Sequence, residues 1–386
     1  MLQDKISHQQ YEQEGKPKIL FILHIPPPIY GAALVGKFIK DSLLINTKVD
    51  ADYINLTSSF NLNQIGKGGL AKFKVIYKIF KEVLIALRSK KYDCYYMTLT
   101  AKGAGFYKDF LIILLLKLNR CKIIYHFHNK GVAENSKKWY NHFLYKIAFN
   151  NVKCILLAPN LYQDIKRYVS INHVFICNNG IPKMTPDTVL NLHNKEVCKF
   201  LFLSNMMEEK GVFELLEACK ILKDKNLNFN CVFVGAWTDI NETLFLKKVK
   251  SLGLMQNVCV HGKKYNAERI SYLQDADVIV LPTYYHNECF PLVLLEAMQF
   301  GLPVISTPEG AISEIVVEGK TGFLTPQKEP KALAEAMEYL LTHPTERITM
   351  GKEGKKRYEK HYTIDTFEQR MLEILKATIK SKNSGA

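Results

Sequence analysis

The sequence predicts an α/β protein built from two Rossmann-like, doubly wound parallel-sheet lobes that face a cleft. Three observations lead there: a length that suits two domains, an alternation of short apolar runs with helix-period segments, and a restart of that alternation past a proline-bearing break. The 386 residues are 47% hydrophobic and 23% charged, as in ordinary globular proteins. At about 100–200 residues per domain they suffice for two cores. Apolar runs that alternate with helices belong to parallel sheets.

In order, residues 1–16 read as a polar tail without an apolar signal core, and residues 17–186 as the first lobe. KILFILHI (18–25) is a buried strand, followed by PPP, a turn at Gly31-Ala32 and a helical pattern through Leu44. YDCYYMTL (92–99) and CKIIYHFHN (121–129) are strands on either side of an apolar helix at 106–118. VKCILLAP (152–159) and NHVFICNNG (172–180) complete this lobe, and residues 182–195, with two prolines, form a linker. Residues 187–363 form the second lobe. KFLFLSN (199–205) is a strand and Glu208 to Lys223 a helix. NCVFVGA (230–236), NVCVHG (257–262), DVIVLPT (277–283) and PVIST (303–307) follow as strands with helices between them. Helices over 330–341 and 364–380 close the chain, the last expected to pack back on the first lobe. Residues 381–386 are a tail.

Composition excludes several classes. The longest apolar stretch, Phe110 to Leu116, is far short of the roughly 18–20 residues a membrane span requires. Nine cysteines, none in a CxxC pair, read as reduced thiols and point to a cytoplasmic protein. Charge is distributed unevenly. Residues 1–186 hold 27 Lys and Arg against 11 Asp and Glu, a balance of +16, whereas residues 187–386 hold 25 against 26, a balance of −1. Such a half suits a polyanion, either nucleic acid or an anionic membrane, although a solvated lysine-rich face fits the same count. Within it, LAKFKVIYKIFKEVLIALRSKK combines apolar residues at helical spacing with Lys72, Lys74, Lys78 and Lys81. A basic amphipathic helix of this kind suits an anionic bilayer or an acceptor held there. A core-packing helix with a basic outer face would show the same pattern.

The segment richest in chemistry is HNECFPLVLLEAMQFGLPVIST (286–307). It follows the apolar strand DVIVLPT, at the carboxyl end where open α/β sheets bind ligands. Pro291 fits a helix's first turn and Gly301 its end. Glu288 then precedes the helix and Glu296 lies within it, inside an otherwise apolar run where a charge requires a partner. A helix start offers free N–H groups to phosphate. Two carboxylates flanking that seat can accept hydrogen bonds from sugar hydroxyls on either side of a diphosphate, the layout that a nucleotide-sugar requires.

On these residues the chain resembles the retaining glycosyltransferases of family 4, of GT-B architecture. Glu288 and Glu296 match the family's E-x7-E motif; EAMQFGLPVIST, GAISEIVVEGKTGFL and EEKGVFELLEACKIL match its wording. The resemblance implies that Glu288 binds the donor hexose and Glu296 the ribose, with the backbone at Phe290, Pro291 and Leu292 near the sugar and diphosphate. It makes Lys210 the cation that stabilises the departing diphosphate. The family's usual Gly-Arg upstream of that lysine is here Ser204-Asn205, so Asn205 offers hydrogen bonds without charge. Gly31 resembles the glycine-rich loop beside the phosphates. His128 matches the histidine that faces the donor, although strand spacing alone does not separate it from His126. Gly262 and Lys264 resemble the segment reading the base, and Glu314 an acidic residue near the nucleotide.

The expected reaction is therefore hexose transfer from a nucleoside diphosphate sugar, with UDP favoured and GDP open, retaining anomeric configuration. No DxD motif or ligand cluster adjoins the site, so neither metal nor cofactor is expected. The expected acceptor is a saccharide on a lipid diphosphate, and the expected location the cytoplasmic face of a membrane, in surface-polysaccharide assembly. A nucleotide-sugar 2-epimerase of the same architecture, a nucleic-acid-binding protein and a non-catalytic nucleotide-sugar sensor are the alternatives. For nucleic acid, no RRM-like, KH-like or zinc motif is present.

Overall fold

The computed structural model describes residues 15–57, 70–184, 197–264 and 266–380. Most of the expected linker and nearly all of both tails fall outside them. Two parallel, six-stranded sheets organise the rest. The first contains β1 (Lys18–Leu23), β2 (Asp50–Asn55), β3 (Cys94–Thr98), β4 (Ile123–His126), β5 (Lys153–Leu156) and β6 (Val174–Ile176), in spatial order β2-β1-β3-β4-β5-β6. The second contains β7 (Cys198–Leu203), β8 (Phe229–Val234), β9 (Val258–His261), β10 (Val278–Leu281), β11 (Val304–Ser306) and β12 (Gly322–Leu324), ordered β12-β11-β10-β7-β8-β9. Central strands such as β3 and β10 are buried throughout, because helices cover both faces. This is the expected two-lobe, Rossmann-like α/β fold.

The chain divides into two compact units. Unit 1 takes residues through Leu156, then Tyr162–Cys177 and the chain from Glu368; unit 2 takes Leu157–Leu161 and Asn178–Phe367. The division falls between Cys177 and Asn178, upstream of the prolines. Helix Ile364–Lys380 gives its first turn to unit 2 and the remainder to unit 1.

Strand order reverses between β1 and β3 in the first sheet and between β7 and β10 in the second. Crevices at the carboxyl ends of such switch points are where this class of sheet binds ligands. The order therefore singles out the chain after His24 and Thr98 in unit 1, and after Leu203 and Leu281 in unit 2.

Several elements differ from expectation. The edge strands β2 and β12 carry no clear signal in the sequence: β2 buries only Ile54 among its residues, and β12 has three residues. Helix Pro344–His361 is likewise unmarked, since PTERITMGKEGKKRYEKH contains too few apolar residues to show a period. The helical pattern expected to run from the Gly31-Ala32 turn through Leu44 is two helices, Gly31–Asp41 and Leu43–Lys48, parted at Ser42. The Ser42 hydroxyl accepts the Ile45 N–H at 3.0 Å and caps the second. The expected helix from Glu208 is a 3-10 turn, Glu208–Lys210, then left-handed Gly211, then helix Val212–Asp224.

Candidate active site

In unit 2 the loop after β7 and the loop after β10 are stitched together at the switch point. The Tyr284 N–H donates to the Glu209 carbonyl at 2.8 Å, and the Thr283 hydroxyl to the same oxygen at 3.2 Å. Gly211, at φ +82°, permits this approach; a Cβ there would lie 2.2 Å from the Pro282 carbonyl oxygen. The stitching places Lys210 against Glu288, and the two form an ion pair. Their side chains are only 12% and 11% exposed. The Lys210 ammonium also sits 4.8 Å from the centre of the Tyr285 ring. The expected leaving-group cation and the expected hexose-binding carboxylate are thus direct neighbours.

Glu288 stands on a supported loop. Gly310, at φ +57°, lies so close that a Cβ would sit 2.3 Å from the Glu288 carbonyl oxygen, and the Ala311 N–H donates to the Cys289 carbonyl at 2.7 Å. Asn287, which the sequence does not single out, has a buried Oδ1 without a hydrogen-bond partner. The loop leads into helix Leu292–Gln299, with Pro291 at its N-cap position rather than inside its first turn. Phe290 is buried against Tyr362, ring centres 5.9 Å apart and nearly perpendicular, and Leu292 is buried as well. These contacts fix where the helix start points.

Glu296, in the second turn, is 4% exposed and pairs with Arg269 of helix Asn266–Asp275. Burial pushes its carboxyl above the usual range, and the guanidinium opposes that rise. The need for a partner was legible in LVLLEAM; its identity was not, because nothing local in NAERISYLQD links it to that helix. Asn205 follows β7, its carbonyl accepting the Met207 N–H at 2.8 Å. Gly262 follows β9 in open space: a Cβ added there would meet no atom within 4 Å, so packing within its unit does not require glycine. Lys264 is engaged with Glu268 at 3.0 Å on the surface. Glu314 acts through its backbone: its carbonyl accepts from Arg357 at 2.6 Å and from the Tyr362 hydroxyl at 2.9 Å.

Unit 1 gathers histidines at its own switch point. His126 ends β4, and its Nδ1 lies 2.6 Å from the buried Tyr96 hydroxyl. His128 lies beside it, ring centres 4.2 Å apart, with Nε2 buried and unpartnered. His24, unmarked in the sequence, follows β1, with Nδ1 3.2 Å from Thr98 Oγ1. Burial depresses all three, His128 to about 3; the Lys108 ammonium lowers His24 further, and the neighbouring His128 ring would oppose protonation of both His24 and His126. These rings are neutral at pH 7. Gly31 is not a turn residue here. It opens helix Gly31–Asp41, and a Cβ on it would meet nothing within 4 Å, whereas one on Gly36 would lie 1.9 Å from the His24 carbonyl oxygen. The close approach after β1 belongs to Gly36.

The basic segment is helix Leu70–Ser89. Ile79 and Val83 are buried while Lys74, Lys78 and Lys81 are exposed, so core packing and a basic outer face coexist. Lys72 lies on the helix, its side chain outside the described set.

Residues 189–357, which carry the unit 2 site residues that the sequence singles out, match the family model of glycosyl transferases group 1. The chain is 32% identical over 162 residues to the capsular polysaccharide biosynthesis glycosyltransferase CapM of Staphylococcus aureus, covering 42% of this chain and 41% of that protein. It is 30% identical over 234 residues to the D-rhamnosyltransferase WbpZ of Pseudomonas aeruginosa, covering 58% and 59%. The chain thus spans about half the length of these curated relatives. Its fold is similar to that of Anabaena HepE, solved in complex with UDP and glucose, at a TM-score of 0.69 and 18% identity over 94% of this chain and 100% of that one.

Proposed function

We propose that the protein is a retaining glycosyltransferase that moves a hexose from a nucleoside diphosphate sugar to a saccharide acceptor in surface-polysaccharide assembly. The single observation that carries this reading is the enclosed Lys210–Glu288 pair at the β7/β10 switch point, just before the start of helix Leu292–Gln299. The match of residues 189–357 to group 1 glycosyl transferases supports it. UDP is the favoured nucleotide, in keeping with the UDP and glucose bound by the similarly folded HepE.

In this mechanism Lys210 and the N–H groups at the helix start hold the diphosphate, whose charge grows as its bond to the anomeric carbon breaks. Donor binding draws the ammonium toward phosphate and frees a Glu288 oxygen to accept from hexose hydroxyls. Glu296, held by Arg269, accepts from the ribose, and Asn205 donates to phosphate without adding charge. The acceptor oxygen attacks the anomeric carbon on the face the diphosphate leaves, and a donor phosphate oxygen takes its proton. His128, neutral, lends hydrogen bonds to the donor without competing for phosphate. The acceptor is proposed to be carried on a lipid diphosphate, with the basic unit 1 at an anionic membrane. No metal is required, so transfer should survive EDTA.

The test is a thermal-shift panel of UDP-, GDP-, ADP- and CMP-sugars with EDTA, on the wild type and on Glu296→Ala. A donor at a hundred times its dissociation constant should stabilise by about 2.7 kcal/mol. One nucleotide class should shift the wild type and not the variant. If no nucleotide-sugar shifts the wild type, the reading is wrong; interconversion of the free donor without acceptor would point instead to an epimerase.

A further inference from the structure

Three neighbouring helices of unit 1 present outward faces that the fold itself leaves uncovered. On helix Gly103–Leu118 the exposed positions Tyr107, Leu111, Leu114 and Leu118 recur at spacings of four, three and four, so they form one continuous stripe, and Leu118 is 74% exposed. On helix Trp139–Phe149 the outward positions are Trp139 (81% exposed), Tyr140 and Phe143, followed by Lys146. The two helices lie side by side and parallel: the Tyr107 hydroxyl donates to Asn141 Oδ1 at 2.9 Å near their starts, and Lys117 donates to the Asn150 carbonyl near their ends. Their stripes therefore join into a single apolar and aromatic band. Soluble proteins seldom expose such a contiguous patch without a partner.

Both flanks of the band are basic. On one side helix Leu70–Ser89, packed beside Gly103–Leu118, exposes Lys74, Lys78, Lys81 and Arg88, with Glu82 the one acidic residue on that helix. On the other side a pocket of about 700 Å³ opens along Trp139–Phe149, its lining including His142, Lys146, Arg167, Ser170 and His173 and containing no Asp or Glu. An apolar band edged by Trp and Tyr, with cations on both sides, matches the cross-section of a phospholipid surface: acyl chains under the band and anionic headgroups under the rims. Protein interfaces, by contrast, are depleted in lysine.

We infer that this three-helix face docks on an anionic phospholipid bilayer, with Trp139, Phe143, Leu111 and Leu118 entering the interface and the pocket around Lys146 and Arg167 receiving a headgroup phosphate. The inference deepens the membrane part of the proposed function and relocates it. The basic helix supplies attraction, and the two helices beside it supply the insertion.

The experiment uses the full chain in a Trp237→Phe background, where Trp139 is the only tryptophan left of the two. Vesicles of phosphatidylcholine alone are compared with vesicles containing phosphatidylglycerol. Only the anionic vesicles should sediment the protein and shift Trp139 emission to the blue. Phe143→Ser with Leu118→Ser, both exposed and tolerable to the fold, should weaken partitioning roughly tenfold or more. Arg167→Gln should weaken it about fivefold, the effect of one surface cation. Vesicle binding indifferent to the apolar substitutions would overturn the inference. So would a concentration-dependent dimer abolished by them, which would make a second copy the occupant. The donor thermal shift, run on the same preparations, separates the two readings: its persistence without vesicle binding sinks the docking face alone.

Discussion

The two units place polar groups at the same topological position, the carboxyl ends of strands at a switch point, and treat them oppositely. Unit 2 buries charge and pairs it: Lys210 with Glu288, Arg269 with Glu296. Unit 1 withdraws three histidines from water to different degrees and leaves them neutral, two of them, His126 and His128, with a buried, unpartnered Nε2. A site of paired charges is organised to exchange partners when a charged ligand arrives. A site of neutral rings offers directed hydrogen bonds without attracting phosphate. The contrast suits the proposed transfer, in which unit 2 would handle the diphosphate and unit 1 hydroxyls.

The sharpest way to break this comparison is Lys210→Ala. Transfer should fall roughly 100- to 1000-fold, as when a transition-state charge loses its stabilising donor. Single-turnover rates with saturating donor would show it, and an unchanged rate would remove Lys210 from the leaving-group role. Next in size is Arg269→Ala, which strands a buried carboxylate and should cost about 1.5–3 kcal/mol in urea unfolding at neutral pH. The sign with pH follows from the raised carboxyl of Glu296: protonation relieves the stranded charge, so the variant's deficit should shrink as the solution is acidified.

Unit 1 should respond to acid in the other direction. The histidines are held below 6.5 in the folded chain, so the unfolded chain takes up protons first, and stability should fall as pH drops from 6.5 towards about 3. Hydrogen exchange followed through that window should open β1, β3 and β4 before β7 and β10. His128→Asn should flatten the decline, and simultaneous opening of both sheets would count against the contrast. The smallest effect expected is a gain. Asn205→Arg restores a cation beside the proposed diphosphate and should lower the donor KM by about tenfold or less, with little change in kcat.

How much of this was legible depended on whether a feature was local. The central strands are near-continuous apolar runs, and both lobes could be read from them. Glu296 stood out because it interrupts LVLLEAM, and Lys210 through the resemblance of EEKG, after KFLFLSN, to the family's wording. Arg269 could not be found, since its partner lies on another helix and its own segment is ordinary. Asn287 and His24 matter only through the strand order that brings their loops to a switch point. The edge strands β2 and β12 bury too little to leave a period, and helix Pro344–His361 is held by packing rather than by an apolar stripe. The solvent-facing stripe on Gly103–Leu118 was hidden for the opposite reason: the helix is apolar all round, and sequence alone gives no sign that one side stays uncovered.

The route of the chain has a consequence for synthesis. The final helix donates Arg370 to the Ile176 carbonyl at 3.2 Å and receives Lys122 at the Ile379 carbonyl at 2.9 Å, and its Met371, Leu372, Ile374 and Leu375 are buried. All of these belong to unit 1. A ribosome therefore completes the whole of unit 2 before it delivers the last piece of unit 1. Domains made first usually fold first, but here the earlier-made sheet must wait with apolar surface uncovered until the helix ending at Lys380 has been made. A stop codon near residue 368 would leave unit 2 entire and unit 1 unfinished, so nonsense or frameshift lesions just past the unit 2 coding region should damage the unit encoded before it.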